Sequence, residues 1–196
     1  MPKSPSRPAL AGFVLAGGKS LRMREDKAGL KWNEHQTLLE HMVNILSAAA
    51  SPVRVVGRQD LPDIFPNCGP LGGILTALEV TPLPMNLIAA VDLPLLTSEF
   101  LVWFGSRVSS STKSLVVCQV AEDFPLCFGV HRNFKDSVAE RIRAKELALH
   151  RWISQSDPEI IVENEIQCAG FPLSIFHNVN TPSDWNELRE EGRNEK

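Results

Sequence analysis

Residues able to do chemistry gather at three places in this chain. The first is Phe13-Val-Leu-Ala-Gly-Gly-Lys-Ser-Leu-Arg-Met-Arg-Glu-Asp-Lys27, an apolar run that ends in a double-glycine turn and a basic loop. Gly17 and Gly18 free the backbone to bend and to approach a ligand without a Cβ in the way. Successive N–H groups in such a turn can form an anion-binding nest. Lys19, Arg22 and Lys27 would neutralise a polyphosphate. A strand-ending turn followed by a solvated basic loop fits the same residues. The second place is Asp92, which directly follows the apolar run 86–91 and precedes Leu93-Pro94. A carboxylate there suits Mg²⁺, which is commonly held by one or two carboxylates plus substrate phosphates. An Asp opening a turn before a helix is the plainer alternative. The third is Gly69-Pro-Leu-Gly-Gly73, a glycine-rich helix start against which a flat base could lie.

Two better-known phosphate motifs are excluded. A P-loop ending at Gly18-Lys19-Ser20 would need a glycine at position 13, which is Phe13. The dinucleotide fingerprint of glycines spaced one and three apart is also absent. No nucleophile is paired with a base: Ser20 has no evident partner and Cys127 lies in an apolar run. The histidines at 35, 41, 131, 150 and 177 are scattered without metal-ligand spacing and read as structural or surface residues.

The elements that must position these residues follow from periodicity and punctuation. Strands are expected over 10–15, 53–56, 86–91, 114–120, 127–131 and 159–163, with 176–179 extended. Helices are expected from Thr37 to about Ala50, from Gly69 to about Val80, and over Ser98 to about Val108 behind a Thr97 cap. Others follow over 133–143 and 146–153, and from Thr181-Pro-Ser-Asp184 to about Glu190. Ser109–Ser111 reads as a loop. Strands and helices alternate through the first 120 residues, which predicts a three-layer α/β/α sandwich with a mainly parallel sheet. Residues 1–8 are expected to be a disordered tail and 9–191 one domain. Ligands in such sheets sit at the carboxyl ends of the strands, where both the glycine turn and Asp92 fall.

Composition narrows the class. The 43% hydrophobic and 22% charged fractions are those of an ordinary globular protein, and the net charge of −3 gives no electrostatic case for nucleic acid. The four cysteines show no Cys-x-x-Cys spacing, so a zinc site is not expected and a reduced, cytoplasmic setting is the simplest reading. No apolar run reaches the roughly 18 residues of a membrane span.

Taken in order, Leu15-Ala-Gly-Gly-Lys-Ser-Leu-Arg-Met with Asp26-Lys27, Gly69-Pro-Leu-Gly-Gly73 and Ala90-Val-Asp-Leu-Pro94 resemble the molybdenum-cofactor guanylyltransferase (MobA) family. Phe176-His-Asn-Val-Asn-Thr-Pro182 is similar to that family's Asn-x-Asn-Thr-Pro segment, and Asp123-Phe-Pro-Leu-Cys127 to its mid-chain strand entry. The resemblance spans roughly residues 10–190 and implies a Rossmann-like nucleotidyltransferase fold. It implies GTP and molybdopterin as substrates, giving the guanine dinucleotide cofactor and pyrophosphate. By the same resemblance Leu15, Ala16, Gly17 and Gly18 bind nucleotide through the backbone, joined by Gly69, Pro70 and Leu71. Arg22 and Lys27 hold the triphosphate and stabilise developing charge, and Asp92 holds Mg²⁺. Asp63 matches an aspartate associated with guanine binding. Asn178 and Asn180 face the acceptor or complete the metal site. Transient contacts with cofactor-delivery proteins and molybdoenzymes are compatible with handing over a labile product.

Two positions depart from the family pattern. Arg24 stands where a glycine is usual, and Val55 stands near a common asparagine; both bear on nucleotide affinity and base choice. The rival readings are the same fold using CTP or another phosphorylated acceptor, and a nucleotide-binding protein without transfer activity.

Overall fold

The computed structural model describes residues 9–17, 27–181, 183–185 and 188. Six strands form one sheet in the order β2-β1-β3-β5-β4-β6. They are β1 (Ala11–Leu15), β2 (Val53–Val56), β3 (Met85–Ala90), β4 (Leu115–Gln119), β5 (Cys127–His131) and β6 (Glu159–Val162). The pairs β1–β2, β1–β3 and β4–β6 are parallel. Only β5 runs against its neighbours, antiparallel to β3 and β4. The chain leaves β1 to build β2 on one side and then returns to build β3 on the other. A crevice therefore opens between the carboxyl ends of β1 and β3, where doubly wound sheets bind ligands.

Strand alternation divides the core in two. Val14, Leu87, Ala89, Val116, Cys118 and Ile161 point to one face of the sheet. There they meet α1 (Leu38–Ser47), α3 (Ser98–Ser110) and α6 (Glu163–Cys168). Phe13, Leu15, Ile88, Leu115, Val117 and Phe128 point to the other. They pack on α2 (Gly69–Val80), α4 (Lys135–Arg143) and α5 (Leu149–Ser154). Both faces of β1, β3 and β4 are covered, which is why those strands read as continuous apolar runs rather than alternating ones.

Side-chain caps explain the starts of α1 and α3. Thr37 caps α1 by accepting from the Glu40 N–H at 3.3 Å, while the Glu40 carboxylate accepts from the Thr37 N–H at 2.7 Å. Thr97 caps α3 through the Phe100 N–H at 3.1 Å.

Several boundaries differ from the sequence reading. Ser109 and Ser110 belong to α3 rather than to a loop. Their hydroxyls donate back to the Gly105 and Arg107 carbonyls at 2.8 and 3.1 Å, so the serines satisfy themselves within the helix. The strand expected to reach Glu163 stops at Val162, and α6 was not anticipated. Its first turn is held by Glu165, whose carboxylate accepts from the Val162 N–H at 3.3 Å. A 3-10 turn over Leu173–Phe176 replaces the start of the last extended segment, which runs from His177. The helices expected from 133 and 146 begin instead at Lys135, after a 3-10 turn over Arg132–Phe134, and at Leu149. The N-terminal tail and most of the last helix lie outside the described residues.

Candidate nucleotidyl-transfer site

The carboxyl ends of the first three strands are laced together by main-chain bonds. The Ala16 N–H donates to the Val56 carbonyl at 2.9 Å, and the Val91 N–H donates to the Leu15 carbonyl at 3.0 Å. Leu15 and Ala16 are buried, so they offer a ligand only backbone. Gly17 is exposed where β1 ends. Gly57, directly after β2, has φ of +86° and lies so close to Gly17 that a Cβ would overlap that residue's N and Cα. Two glycines thus form the tip of the crevice: no side chain fits at Gly57, and one at Gly17 would press on Gly57 and Asp63. Gly57 was not singled out from the sequence. Its position immediately after an apolar strand was the available signal.

Asp63 leans into this tip from the loop after β2. A Cβ on Gly17 would stand 3.0 Å from its Oδ2, and one on Gly73 would stand 3.7 Å from its Oδ1. Oδ1 is buried with no hydrogen-bond partner among the described residues. Burial pushes the Asp63 carboxyl above its ordinary value of 3.8, because desolvation penalises the charged form. A buried carboxylate oxygen without a donor is costly, so the notch suits a ligand that brings N–H groups. Gly69, with φ of +59°, opens α2 beside it and Pro70 follows in the first turn. Leu71 is fully buried in the core, so only its main chain could touch a ligand.

Asp92 lies past the end of β3, half-buried in the turn that leads to Pro94. Its carbonyl accepts the Val179 N–H at 2.9 Å. That bond draws the extended segment after His177 alongside the turn. Val179 is buried, while Asn178 and Asn180 on either side of it are exposed. The segment is pinned at its far end by Asp184, whose Oδ2 accepts from the Asn180 and Thr181 N–H groups at 2.7 and 3.0 Å. Bonds from the Thr181 hydroxyl and the Asn180 amide hold the Asp184 carboxyl down at about 2. The fold therefore brings Asp92, Asn178 and Asn180 together, and the Val91–Leu15 bond joins them to the glycine tip. Gly18, Arg22 and Arg24, and the side chain of Lys27, lie outside the described residues; the Lys27 backbone begins a 3-10 turn.

An aromatic cluster supports the Asp92 turn. His41 of α1 donates through Nε2 to the Pro94 carbonyl at 3.0 Å, which leaves Nδ1 as the unprotonated nitrogen of the neutral ring. Trp32 stacks on it at 4.4 Å, and Trp185 leans on Trp32 at 6.2 Å. Desolvation holds the imidazole below its ordinary 6.5, against the opposing pull of the Pro94 bond. The folded state therefore favours the neutral ring. Its contribution is fully present above the unfolded value and is lost as pH falls through the lowered one. His41→Phe, which keeps an aromatic ring but no donor, is expected to cost about 1 kcal/mol at neutral pH. It should also flatten the fall in stability between about pH 7 and pH 5. Urea unfolding across that range checks both, and an unchanged slope would refute the assignment.

The described residues contain no group of three or more His, Cys, Asp or Glu side chains that could hold a metal unaided. Cys127 is no nucleophile, since burial raises its thiol to about 12. What the crevice offers is glycine backbone, one desolvated carboxylate and the Asp92 turn, beside which the main chain of the Asn178–Asn180 segment runs.

The MobA-like NTP transferase domain matches residues 12–160 of the chain. The molybdenum cofactor guanylyltransferase of Xanthomonas euvesicatoria pv. vesicatoria is 31% identical over 193 residues, covering 90% of this chain and 93% of that protein. A Flavobacterium johnsoniae protein named "Probable molybdenum cofactor guanylyltransferase" is 27% identical over 188 residues, covering 91% and 96%. The structure of molybdopterin-guanine dinucleotide biosynthesis protein A from Archaeoglobus fulgidus superposes with a TM-score of 0.79 at 18% identity, covering 94% of this chain and all of that one. The fold is thus that of a nucleotidyltransferase, and the chain belongs to the MobA-like NTP transferase family.

Proposed function

We propose that the protein transfers GMP from GTP to molybdopterin, releasing pyrophosphate and forming the guanine dinucleotide cofactor. The observation that carries this reading is the Asp63 carboxylate in the glycine notch, with Oδ1 buried and unpartnered among the described residues. Guanine presents two adjacent donors, N1–H and the 2-amino group, which match an acceptor-only carboxylate. Neither cytosine nor adenine has that pair on one edge. Pairing with guanine would supply the donors that Asp63 lacks and favour its ionised form.

The remaining residues take the roles that the family resemblance implies. Leu15, Ala16, Gly17 and Gly18 bind the nucleotide through main chain, with Gly69, Pro70 and Leu71 at the start of α2 bordering the base. Arg22 and Lys27 neutralise the triphosphate. Asn178 and Asn180 hold the acceptor beside Asp92. The acceptor phosphate oxygen bonds to the α-phosphorus while the bond to pyrophosphate breaks. The protein's work is positioning and charge neutralisation, with no covalent enzyme intermediate.

Asp92 fits a divalent cation of the Mg²⁺ type: it is a half-buried acidic residue in the turn after β3, and one such carboxylate leaves coordination positions for phosphate oxygens and water. When bound, Mg²⁺ would neutralise charge on the phosphates. No described helix is long and apolar enough to cross a membrane, and we place the reaction in the cytoplasm. Its partners are small molecules, with transient contacts to the proteins that deliver molybdopterin and receive the product.

A thermal-shift panel of GTP, CTP, ATP and UTP with Mg²⁺ tests the reading. GTP alone should raise the melting temperature, since a ligand stabilises the state that binds it. A shift with CTP alone would move the protein to cytidylyl transfer, and no shift with any nucleotide would end the transferase reading.

A further inference from the structure

Thr76 is buried in the middle of α2, where a β-branched polar residue is neither a strong helix former nor an obvious core residue. Its hydroxyl both donates and accepts. It donates to the Gly72 carbonyl one turn back at 2.9 Å and accepts the Ile64 N–H at 3.0 Å. The first bond orients the hydroxyl, and the second reaches out of the helix to the residue that follows Asp63. The same stretch is clamped from a second side. A Cβ on Gly72 would stand 2.7 Å from the Phe65 carbonyl oxygen, so the loop lies directly on the helix backbone. Ile64 and Phe65 themselves are exposed, at 50% and 38%. Their side chains are only partly covered, which leaves the main-chain bond to Thr76 as a principal tie between loop and helix.

We infer that Thr76 is a specificity-determining positioning residue: by anchoring the Ile64 amide to α2 it fixes the Asp63 carboxylate at the distance from Gly17 and Gly73 that a guanine edge requires. This rests on the proposed reading of Asp63 and deepens it. A carboxylate free to swing would still meet one base donor but would lose the paired geometry. Base discrimination should thus depend on Thr76 more than nucleotide affinity as such.

The test compares GTP with ITP, whose base lacks only the 2-amino group, by calorimetric titration with Mg²⁺. The native protein should bind GTP at least about tenfold more tightly than ITP, because a site built to pair with a group rejects the analogue without it. Asp63→Asn should abolish that ratio. Thr76→Val removes both hydroxyl bonds at nearly the same shape and should bring the ratio to within about threefold of unity, chiefly by weakening GTP. Thr76→Ser keeps the hydroxyl and should restore it. Gly72→Ala pushes on the same loop from Phe65 and should lower the ratio too, which provides a reading if Thr76→Val fails to fold. An unchanged ratio in folded Thr76→Val, or in Gly72→Ala where that serves instead, overturns the inference. So does an equal loss of GTP and ITP binding. A native protein that does not distinguish GTP from ITP would instead remove the base-reading role of Asp63, and the inference with it.

Discussion

Asp92→Ala is expected to lose transfer activity by roughly 10²–10³-fold, the scale seen when one preorganised electrostatic contact to the reacting centre is removed. The loss should fall on kcat, with the melting temperature little changed. The turn is held by main-chain bonds, from Val91 to Leu15 and from Val179 to Asp92, and by the His41 bond to Pro94. None of these uses the Asp92 carboxylate. Asp92→Asn keeps the size of the side chain and should be nearly as inactive, which separates charge from shape. Full activity of either variant with Mg²⁺ present would remove Asp92 from the transfer site.

The largest structural effect is expected from Gly57→Ala. The left-handed backbone at that position costs a residue with a Cβ about 1–3 kcal/mol by itself. The added methyl would also collide with Gly17. That collision cannot be relieved by rotating a side chain, since the atoms in the way are backbone. The ends of β1 and β2 must part, and with them the bond from Ala16 to Val56. A fall in melting temperature of roughly 5 °C or more should accompany loss of nucleotide-induced stabilisation. Gly29→Ala is the matched control, since a Cβ there meets nothing within 4 Å. Equal melting curves and equal nucleotide affinity for Gly57→Ala and the native protein would show that the glycine tip is dispensable.

Fold class and the principal strands were legible because β1, β3 and β4 are covered on both faces and therefore spell out uninterrupted apolar runs. Caps at Thr37, Thr97 and Thr181 were legible because side chain and partner lie three residues apart, within any local reading of the chain. The features that escaped are those whose partners are distant. Nothing near Ser109 says that α3 continues, since its hydroxyl is satisfied only once the helix exists. The start of α6 depends on Glu165 reaching back to Val162 after β6 has found β4. Gly57 is one glycine among twelve until the β1–β2 pairing sets it against Gly17. Asp63 itself was named by the family resemblance, but its tie through Ile64 to Thr76 arises from packing a loop on a helix residue 12 positions further on, a relation that no spacing rule encodes. The resemblance already brought the two asparagines toward Asp92, but the Val179 main-chain bond that draws their segment there was not visible.

That bond has a consequence for how the site is laid out along the chain. β1, β2 and β3, with α2 and the Asp63 loop, all precede Val91 in the chain, whereas Val179 and its neighbours come well after β6. The half assigned to the nucleotide is thus encoded early and the half assigned to the acceptor late. On the proposed reading, the chain up to β3 carries the place for the donor, and the place for the acceptor waits for the segment around Val179.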